Sequence, residues 1–385
     1  MPAADAAPRH GGARRGAPRG GMAPSCARLH GAPVGAWAGR VVAQQVGSVR
    51  SGPDAHALEA KVAFLRRAEA YPETPIGVEV LETHMSWVFL TDRHAYKLKK
   101  PVRFDSLDFS TVELRRRDCE EEVRLNRRLA PDVYLGTLAL TADERGALSL
   151  GGAGDVVDWL VWMRRLPADR MLDARVLSGA LRRAEVRPAA LRLARFFAEA
   201  ERVTLAPAEY RRRLAEGVEG DRRALSRPEF GLPRERVEAL ARAEEACLER
   251  HAALFDRRVE EGRLVEGHGD LRPEHVCLTS EPAIIDCLEF SRELRLLDPA
   301  DELAFLALEC ERLGAAEVGG WFLEAYTETT GDAPPPLLLR FHRTYRALRR
   351  AKIAVWHLED AEVREPARWI ARARRYLELA TPPVD

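Results

Sequence analysis

The chain has 385 residues, which is long enough for two or three domains of ordinary size and for a large buried core. Its 60 Lys and Arg residues equal its 60 Asp and Glu residues, so no net charge draws the protein onto nucleic acid or an anionic membrane. Its apolar runs are short and interrupted by charge, well below the roughly 18 residues that a membrane span requires, so we expect a cytoplasmic protein without nucleic acid or membrane as a partner.

The first segment, residues 1–53, is rich in Gly, Ala, Pro and Arg and contains a single acid, Asp5. It shows no sustained apolar period, so burial could hardly offset the entropy that ordering costs. We predict a disordered leader here and exclude it from the fold. An Arg-rich, acid-poor segment also resembles a transit peptide, and Met22 is an alternative start.

Residues 55–70 keep apolar side chains at helical spacing and predict a helix ahead of the first β-prone runs. Those runs are IGVEVL, SWVFLT and AYKLKK. The second and third runs are separated by Asp92 and Arg93, and this short break between two strand patterns indicates a hairpin. The sequence therefore predicts a small antiparallel sheet.

A helix is predicted after the hairpin, with Ser110 as its N-cap, Leu129 as its last apolar position and Pro131 just beyond its end. Two more strand patterns follow, VYLGTLAL and VVDWLVWMRRL, with a Gly-rich turn between them. These segments complete a β-rich first part of the chain.

After Pro167 the pattern becomes mainly helical. Helical spacing is clearest over residues 189–203 and 233–256, and further helices are predicted toward the C-terminus. Two short strands are predicted within this part, over residues 276–279 and 283–287. The order of elements is typical of a two-lobed α+β protein, and no internal repeat is present.

Lysine is rare in this chain, since nearly all positive charge is carried by Arg. The five lysines are at positions 61, 97, 99, 100 and 352, so three of them fall in the single segment YKLKKP. A compact ammonium on a flexible stem is not interchangeable with a guanidinium. The segment YKLKKP is therefore a candidate functional strand.

Six cysteines are spread along the chain without a C-x-x-C pair. This spacing is not that of a small disulfide framework and is typical of reduced thiols. We expect no structural disulfide.

The sharpest chemical signal is GHGDLRPEH, Gly267–His275, followed by IIDCLEF, Ile284–Phe290. These segments resemble the HGDxxxxN catalytic loop and the later metal-binding Asp of aminoglycoside phosphotransferases, choline kinases and their relatives, which share the protein-kinase fold. The resemblance extends to ETHMSWVFL, YKLKKPV, EEEVRLNRRLAPDVYLG and DPADELAFL, and covers about residues 55–380. It points to a bacterial branch of this superfamily and leaves the phosphate acceptor open.

The resemblance implies a fold class, namely α+β with a bilobal protein-kinase-like arrangement. The small N-lobe would hold an antiparallel sheet with one helix, and the larger C-lobe would be mainly helical. We place the two lobes at residues 54–166 and 167–385, with the catalytic loop and the metal-binding Asp in the second. Analogy of fold does not by itself establish an activity.

The resemblance also implies ATP and Mg²⁺ as cofactors and a hydroxyl of a small molecule as acceptor. Phosphoryl transfer requires charge to be positioned and neutralised and the attacking hydroxyl to be oriented by a carboxylate. In this interpretation Asp270 is the catalytic base, and Asp286 binds the Mg²⁺ that bridges the nucleotide phosphates. His268 would brace the loop through hydrogen bonds.

The main departure from the family pattern is His275. The family places an amide metal ligand five residues after the catalytic Asp, and this chain has His275 there. A neutral imidazole can ligate a divalent ion but suits zinc, manganese or iron better than magnesium. His275 thus either changes the choice of metal or leaves the second metal position vacant. A nucleotide-binding relative without turnover is the competing hypothesis, and transfer of a nucleotide is a further option.

The nucleotide site of the first lobe is predicted from the same resemblance. Lys97 matches the strand lysine that contacts the α and β phosphates in kinases, and Lys99, which has the same parity along the strand, is the alternative. The carboxylate partner of this lysine is expected on the next helix. Glu122, seven residues before Leu129, fits the family pattern best, and Glu121 is the alternative.

Two common phosphate-binding patterns are absent from the sequence. The position where kinases have a glycine-rich loop contains THMSWVF instead. No Lys follows a Gly anywhere in the chain, which excludes a GxxxxGK[ST] P-loop.

The segment after Asp286 is expected at the entrance of the acceptor pocket, where Glu289 and Arg292 are possible substrate contacts. Ion pairs within the loop are the alternative for both residues. The oligomeric state stays unknown at this stage, since no coiled-coil heptad is evident.

Overall fold

The computed structural model describes residues 55–104, 107–359 and 365–383. The predicted leader, residues 1–53, lies outside these ranges. None of the helices in the described ranges is both long and apolar enough to span a membrane.

The first part of the chain forms an antiparallel sheet of six strands in the order β1-β2-β3-β8-β6-β7, with a separate two-stranded ribbon formed by β4 and β5. The strands described here are β1 (Glu79–Glu82), β2 (Ser86–Leu90), β3 (His94–Lys99), β4 (Arg103–Phe104), β5 (Leu107–Asp108), β6 (Tyr134–Ala142), β7 (Leu148–Leu150) and β8 (Asp155–Arg164). The predicted hairpin is confirmed, because Leu90 pairs with Ala95 across Asp92 and Arg93. The sequence missed β7, which has only three residues within the Gly-rich turn.

Two helices lie against this sheet, α1 (Ala55–Leu65) and α2 (Val112–Asn126). The predicted N-cap of α2 was wrong by one residue. Thr111 is the cap, with extended backbone and a side chain that accepts a hydrogen bond from the Leu114 N–H, whereas the Ser110 hydroxyl donates to the carboxylate of Asp108.

A buried cluster of charged side chains around Asp158 of β8 joins α1 and α2 to the sheet of the first lobe. Its carboxylate accepts from Lys61 Nζ of α1 at 2.8 Å and from the guanidinium of Arg115 of α2 at 2.8 and 3.0 Å. All three side chains are almost fully buried. The cluster therefore fixes both helices on the same strand.

The second part of the chain is mainly helical. Its helices within the described ranges are α3 (Leu172–Leu177), α4 (Arg183–Glu199), α5 (Pro207–Leu225), α6 (Arg234–Arg250), α7 (Ala252–Glu260), α8 (Pro299–Arg312), α9 (Ala316–Thr330), α10 (Pro336–Trp356) and α11 (Pro366–Leu379). The sequence did not predict α5, and the helix predicted over residues 233–256 is divided at His251, whose backbone leaves the helical region.

Short strand pairs lie inside this helical lobe: β9 (Val265–Glu266) pairs with β12 (Leu296–Leu297), and β10 (Val276–Cys277) pairs with β11 (Ala283–Ile284). The strand predicted over residues 283–287 is therefore shorter than expected. The reason is that Asp286 adopts a positive φ of 61°, which ends the extended run.

The lobes share part of their core. Cys119 of α2 and Val161 of β8 belong to the same buried cluster as Cys277 of β10 and Ala283 of β11. The predicted fold class is confirmed, with a small antiparallel-sheet lobe and a larger, mainly helical lobe. The exact boundary at residues 166 and 167 stays a prediction.

Removal of the Asp158 carboxylate tests the charge cluster of the first lobe. Asp158→Ala should lower the free energy of unfolding by about 3–5 kcal/mol, because Lys61 and Arg115 are then buried without their counter-ion. Urea denaturation would measure the change. Asp155→Ala, at the exposed start of the same strand, is the matched control and should change it by less than about 0.5 kcal/mol. A loss below about 1 kcal/mol in Asp158→Ala would contradict the role of the cluster.

Candidate active site

His268 braces the predicted catalytic loop through both nitrogens of its ring. Its Nε2 lies 2.9 Å from the Ile285 carbonyl oxygen, and its Nδ1 accepts from the Asp270 N–H at 3.3 Å. The ring is completely buried, and burial is the main reason why the pKa of His268 falls to about 3. His268 is therefore neutral at pH 7 and joins the loop to the strand segment that precedes Asp286.

Glu302 of α8 holds the backbone at the start of the same loop. Its carboxylate accepts from the His268 N–H at 2.9 Å and also from the Gly269 N–H. Burial raises the pKa of Glu302 to about 7. Gly269 has a φ of 89°, and a Cβ there would lie 2.9 Å from the Leu288 Cβ. The loop conformation thus requires glycine at this position.

Asp270 and Asp286 are connected by two intervening side chains. Arg272 Nε donates to Asp270 Oδ2 at 3.0 Å, and Arg272 Nη2 lies 2.9 Å from His275 Nε2. His275 Nε2 in turn lies 3.4 Å from Asp286 Oδ2. Arg272 and His275 are fully buried, whereas the two carboxylates keep a small exposed fraction. The structure thus brings the two predicted acids to one site.

Asp286 belongs to the helical lobe and is held at this site by two side chains of the first lobe. Its N–H donates to the Tyr134 hydroxyl of β6 at 3.1 Å, and its Oδ1 accepts from Lys97 Nζ at 3.1 Å. Burial alone would raise the pKa of Asp286, but the neighbouring basic side chains, Lys97 foremost, together outweigh burial and hold the pKa well below its ordinary value. Among the described residues, no donor makes a hydrogen bond to Asp286 Oδ2, although this atom is buried. An ionised, buried oxygen without a hydrogen-bond partner fits a ligand of a divalent cation.

Glu122 of α2 binds both candidate lysines. Its Oε1 accepts from Lys97 Nζ at 2.8 Å, and its Oε2 accepts from Lys99 Nζ at 2.6 Å. The predicted pair of Lys97 and Glu122 is therefore present in the structure. Glu121, the alternative, forms surface ion pairs with Arg124 instead.

The two lysines differ in their surroundings. Lys97 also contacts Asp286 and keeps 13% of its side chain exposed, whereas Lys99 is 1% exposed. Lys99 Nζ lies 2.5 Å from carboxylate oxygens of both Asp118 and Glu289, in addition to its contact with Glu122. Lys97 is thus the lysine available to a ligand, and Lys99 is enclosed by protein.

Asp118, Glu122 and Glu289 also form a set of acids whose geometry could hold a metal ion. An ammonium group already lies between them, because Lys99 Nζ is within 2.6 Å of each. We therefore assign this cluster to the binding of Lys99 and not to a metal.

The two possible substrate contacts, Glu289 and Arg292, are engaged in ion pairs. The Glu289 carboxylate binds Lys99, and the exposed Arg292 pairs with Glu201 and Glu266 at 3.4 Å. Both residues thus form ion pairs, but with partners outside the loop and not within it as the alternative had it. Neither residue lines the cavity beside Asp270.

That cavity has a volume of about 590 Å³ and lies on the C-lobe side of Asp270. Side chains of α5, α8 and α10 line it together with Gly269 and Asp270. Its walls include Tyr210, whose buried hydroxyl has no hydrogen-bond partner among the described residues. Buried hydroxyls normally have a hydrogen-bond partner. Because the Tyr210 hydroxyl has none among the described residues and lines the cavity, a ligand in the cavity could bind to it.

Several supporting residues were missed in the sequence. Asn126 ties α2 to the segment after Asp286, since its Oδ1 accepts from the Cys287 N–H at 2.8 Å. Glu302 and Tyr134 were also missed, and Arg272 was not singled out within the loop. The available signal for Glu302 was its place in the segment DPADELAFL, where it is the second of two adjacent acids ahead of the apolar stretch of α8.

No model of a known protein family matches the chain. The chain is similar to uncharacterized proteins of Mycobacterium tuberculosis and Mycobacterium bovis, at 34% identity over 323 residues, which covers 81% of this chain. The matched region spans about 62% of the length of these curated relatives.

Several solved structures are similar to this chain at low sequence identity. A choline/ethanolamine kinase family protein from Mesorhizobium loti is 15% identical, with 83% of this chain and 98% of that chain covered and a TM-score of 0.47. A GDP complex of aminoglycoside 2'-phosphotransferase-IIIa is 15% identical, with 83% and 97% covered and a TM-score of 0.47. Glucosamine kinase in complex with glucosamine, ADP and inorganic phosphate is 16% identical, with 86% of each chain covered and a TM-score of 0.45. At these values the likeness carries no argument about activity, which has to come from the site itself.

The cluster of Asp118, Glu122 and Glu289 around Lys99 gives a test of this site that does not depend on activity. Lys99→Met should lower the free energy of unfolding by about 3–5 kcal/mol, because three carboxylates then lose their buried counter-ion. The loss should be larger at pH 8 than at pH 5.5. Burial already raises the pKa of Asp118 to about 7, so acid protonates this group and removes its charge.

Urea denaturation at the two pH values measures both effects. Lys100→Met is the matched control, because Lys100 Nζ pairs with Glu82, whose side chain is half exposed. It should change the free energy of unfolding by less than about 1 kcal/mol at either pH. If Lys99→Met lowered the free energy of unfolding equally at pH 8 and pH 5.5, the assignment of the three acids to the binding of Lys99 would be contradicted.

Proposed function

We propose that this protein is an ATP-dependent phosphotransferase that moves the γ-phosphate to a hydroxyl of a small molecule. The observation that carries the proposal is one continuous chain of contacts from Lys97 through Asp286, His275 and Arg272 to Asp270. Along this chain of contacts, Lys97 would serve the nucleotide phosphates, Asp286 a metal ion and Asp270 the acceptor hydroxyl. Phosphoryl transfer requires these three groups together.

On the nucleotide side, Lys97 would bind the phosphates and Glu122 would hold the ammonium in place. Burial lowers the pKa of Lys97, but the carboxylates of Asp286 and Glu122 more than offset this, so the pKa lies well above the ordinary value and the ammonium stays charged. A Mg²⁺ bound at Asp286 would neutralise negative charge on the nucleotide phosphates. Asp286 fits such an ion because its Oδ2 is buried and lacks a hydrogen-bond donor within the described ranges.

On the acceptor side, Asp270 would orient the hydroxyl and take its proton. Arg272 engages Oδ2, so Oδ1 is the oxygen that would receive the proton. His268 holds the loop and does not act as a base, since both of its ring nitrogens are used within the protein. A positioned general base contributes typically about 10²–10⁴-fold to a rate.

The acceptor would bind in the cavity beside Asp270. Five arginines and five acids line this cavity: Arg212, Arg213, Arg346, Arg349, Arg350, Glu209, Glu216, Asp270, Glu293 and Asp301. Ion pairs link several of them, such as Arg346 with both oxygens of Asp301 at 2.7 Å. The balanced lining would give little net attraction for a strongly charged acceptor, and the Tyr210 hydroxyl would bind a polar group.

The second candidate function is a nucleotide-binding module without turnover. The observation that favours it is the ion pair of Arg272 with Asp270, which occupies one oxygen of the proposed base. The two functions predict the same nucleotide binding and differ in ATP consumption.

The full chain would be tested first for nucleotide binding by thermal shift, with ATP and Mg²⁺ added together and separately. Ligand at 100 times its Kd should add about 2.7 kcal/mol of stability. Asp286→Asn should abolish the part of the shift that depends on Mg²⁺. Asp132→Asn, an exposed acid, is the matched control and should keep it. Absence of any nucleotide-dependent shift would refute the proposed function.

ATP consumption against pooled metabolites then separates the two functions. Asp270→Asn should keep the nucleotide-dependent shift and reduce acceptor-dependent consumption by about 10²–10⁴-fold, because the substituted amide cannot take up the hydroxyl proton. Binding without consumption, unchanged by this substitution, would favour the module. Transfer of a nucleotide would appear as AMP on the product.

A glycine of α5 tests the location of the acceptor. A Cβ on Gly217 would lie 2.2 Å from the Tyr345 hydroxyl and 2.9 Å from Arg349 Nη2, and both side chains line the cavity. Gly217→Ala should therefore lower acceptor-dependent ATP consumption several-fold and leave the nucleotide-dependent thermal shift unchanged. Gly220→Ala on the same helix is the matched control, since a Cβ added there would have no described atom beyond its own stretch of helix within 4 Å. Equal consumption by the two variants would place the acceptor elsewhere.

A further inference from the structure

We infer that Arg272 and His275 together occupy the second metal position, so that this site is built for a single divalent cation. The inference rests on the proposed function and concerns the number of metal ions that the site holds with nucleotide. It reverses the expectation that His275 is a metal ligand.

The hydrogen bonds of the His275 ring determine which nitrogen carries the proton. Nδ1 lies 2.8 Å from the main-chain oxygen of Asp270, and a carbonyl oxygen only accepts, so Nδ1 is the protonated nitrogen. Nε2 then has the lone pair of the neutral ring. It lies 2.9 Å from Arg272 Nη2, and a guanidinium nitrogen only donates.

Both ring nitrogens of His275 are therefore used, and no lone pair is left for a metal ion. The asparagine found at this position in the resembled loop would offer an amide oxygen with two lone pairs. The ring is also completely buried, so it cannot turn outward without disturbing the core of the loop. His275 does not fit the second metal, whereas Asp286 Oδ2 fits the first.

Arg272 supplies a positive charge at the same place. Its guanidinium is fully buried between the ring of His275 and the carboxylate of Asp270. Arginine cannot be deprotonated in proteins, so this charge is permanent. A fixed cation next to the nucleotide would offset phosphate charge and would repel a second divalent ion. His275 is thus a positioning residue that acts through Arg272.

The test counts the Mn²⁺ ions bound to the full chain. A non-hydrolysable ATP analogue is added at the same concentration as the protein, and Mn²⁺ is added in excess of both. Frozen-solution electron paramagnetic resonance distinguishes an isolated Mn²⁺ from two neighbouring ions, whose spins couple and broaden the spectrum. We expect one Mn²⁺ for each complex and no coupling in the natural protein. Two coupled ions in the natural protein would overturn the inference.

The double variant Arg272→Gln/His275→Asn removes the fixed charge and restores an amide at residue 275. It should bind two Mn²⁺ ions with a coupled spectrum, whereas Arg368→Ala, in which an exposed arginine of α11 is removed, should still bind one. A single ion in the folded double variant would overturn the inference. If the double variant does not fold, the count on the natural protein still decides.

The readout also separates this inference from the proposed function. A chain that binds neither the analogue nor Mn²⁺ would refute the function and the inference with it. A chain that binds the analogue with two ions would refute the inference alone.

Discussion

The contact between Lys97 and Asp286 is the interaction on which the site depends. Lys97 belongs to the central part of the sheet and Asp286 to the helical lobe, and their charged atoms lie 3.1 Å apart. Glu122 holds Lys97 from the other side, and Glu122 also binds Lys99. In this buried cluster the carboxylates outnumber the ammonium groups by four to two, which favours a further cation. The same charges thus join the lobes and, in the proposed function, would favour a metal ion and a nucleotide at this site.

Buried ion pairs of this kind add little net stability, because desolvation offsets much of their Coulomb energy. The cost of breaking them is nevertheless high, since the remaining charge has no water to bind. Around Asp270 the same rule explains why so many polar groups converge on one loop. Glu302 binds its N–H groups, His268 links it to Ile285, and Arg272 engages its carboxylate. Each of these polar groups has a hydrogen-bond partner within the protein, and together the hydrogen bonds hold the loop in one conformation.

His275 shows how a departure from a family pattern can be compensated locally. A histidine in place of an amide ligand, taken alone, indicates a changed metal or a lost activity. The structure pairs that histidine with Arg272, and the guanidinium brings a charge that the imidazole lacks. The proposed chemistry then requires one metal ion and one arginine where the resemblance implies two metal positions.

The sequence by itself determined the two-lobed α+β order of elements, the hairpin that carries Lys97, and the segments before and after the β10–β11 pair that carry Asp270 and Asp286. These features follow from local periodicity and from residues close together in the chain. Tertiary structure decided the rest: the choice between Lys97 and Lys99, the role of Glu302, and the partners of His275. The two lysines have the same parity on β3, so only the acids of other elements distinguish them, and Glu289 reaches Lys99 from 190 positions away. Contacts over such separations depend on packing of the lobes, and no local pattern encodes them.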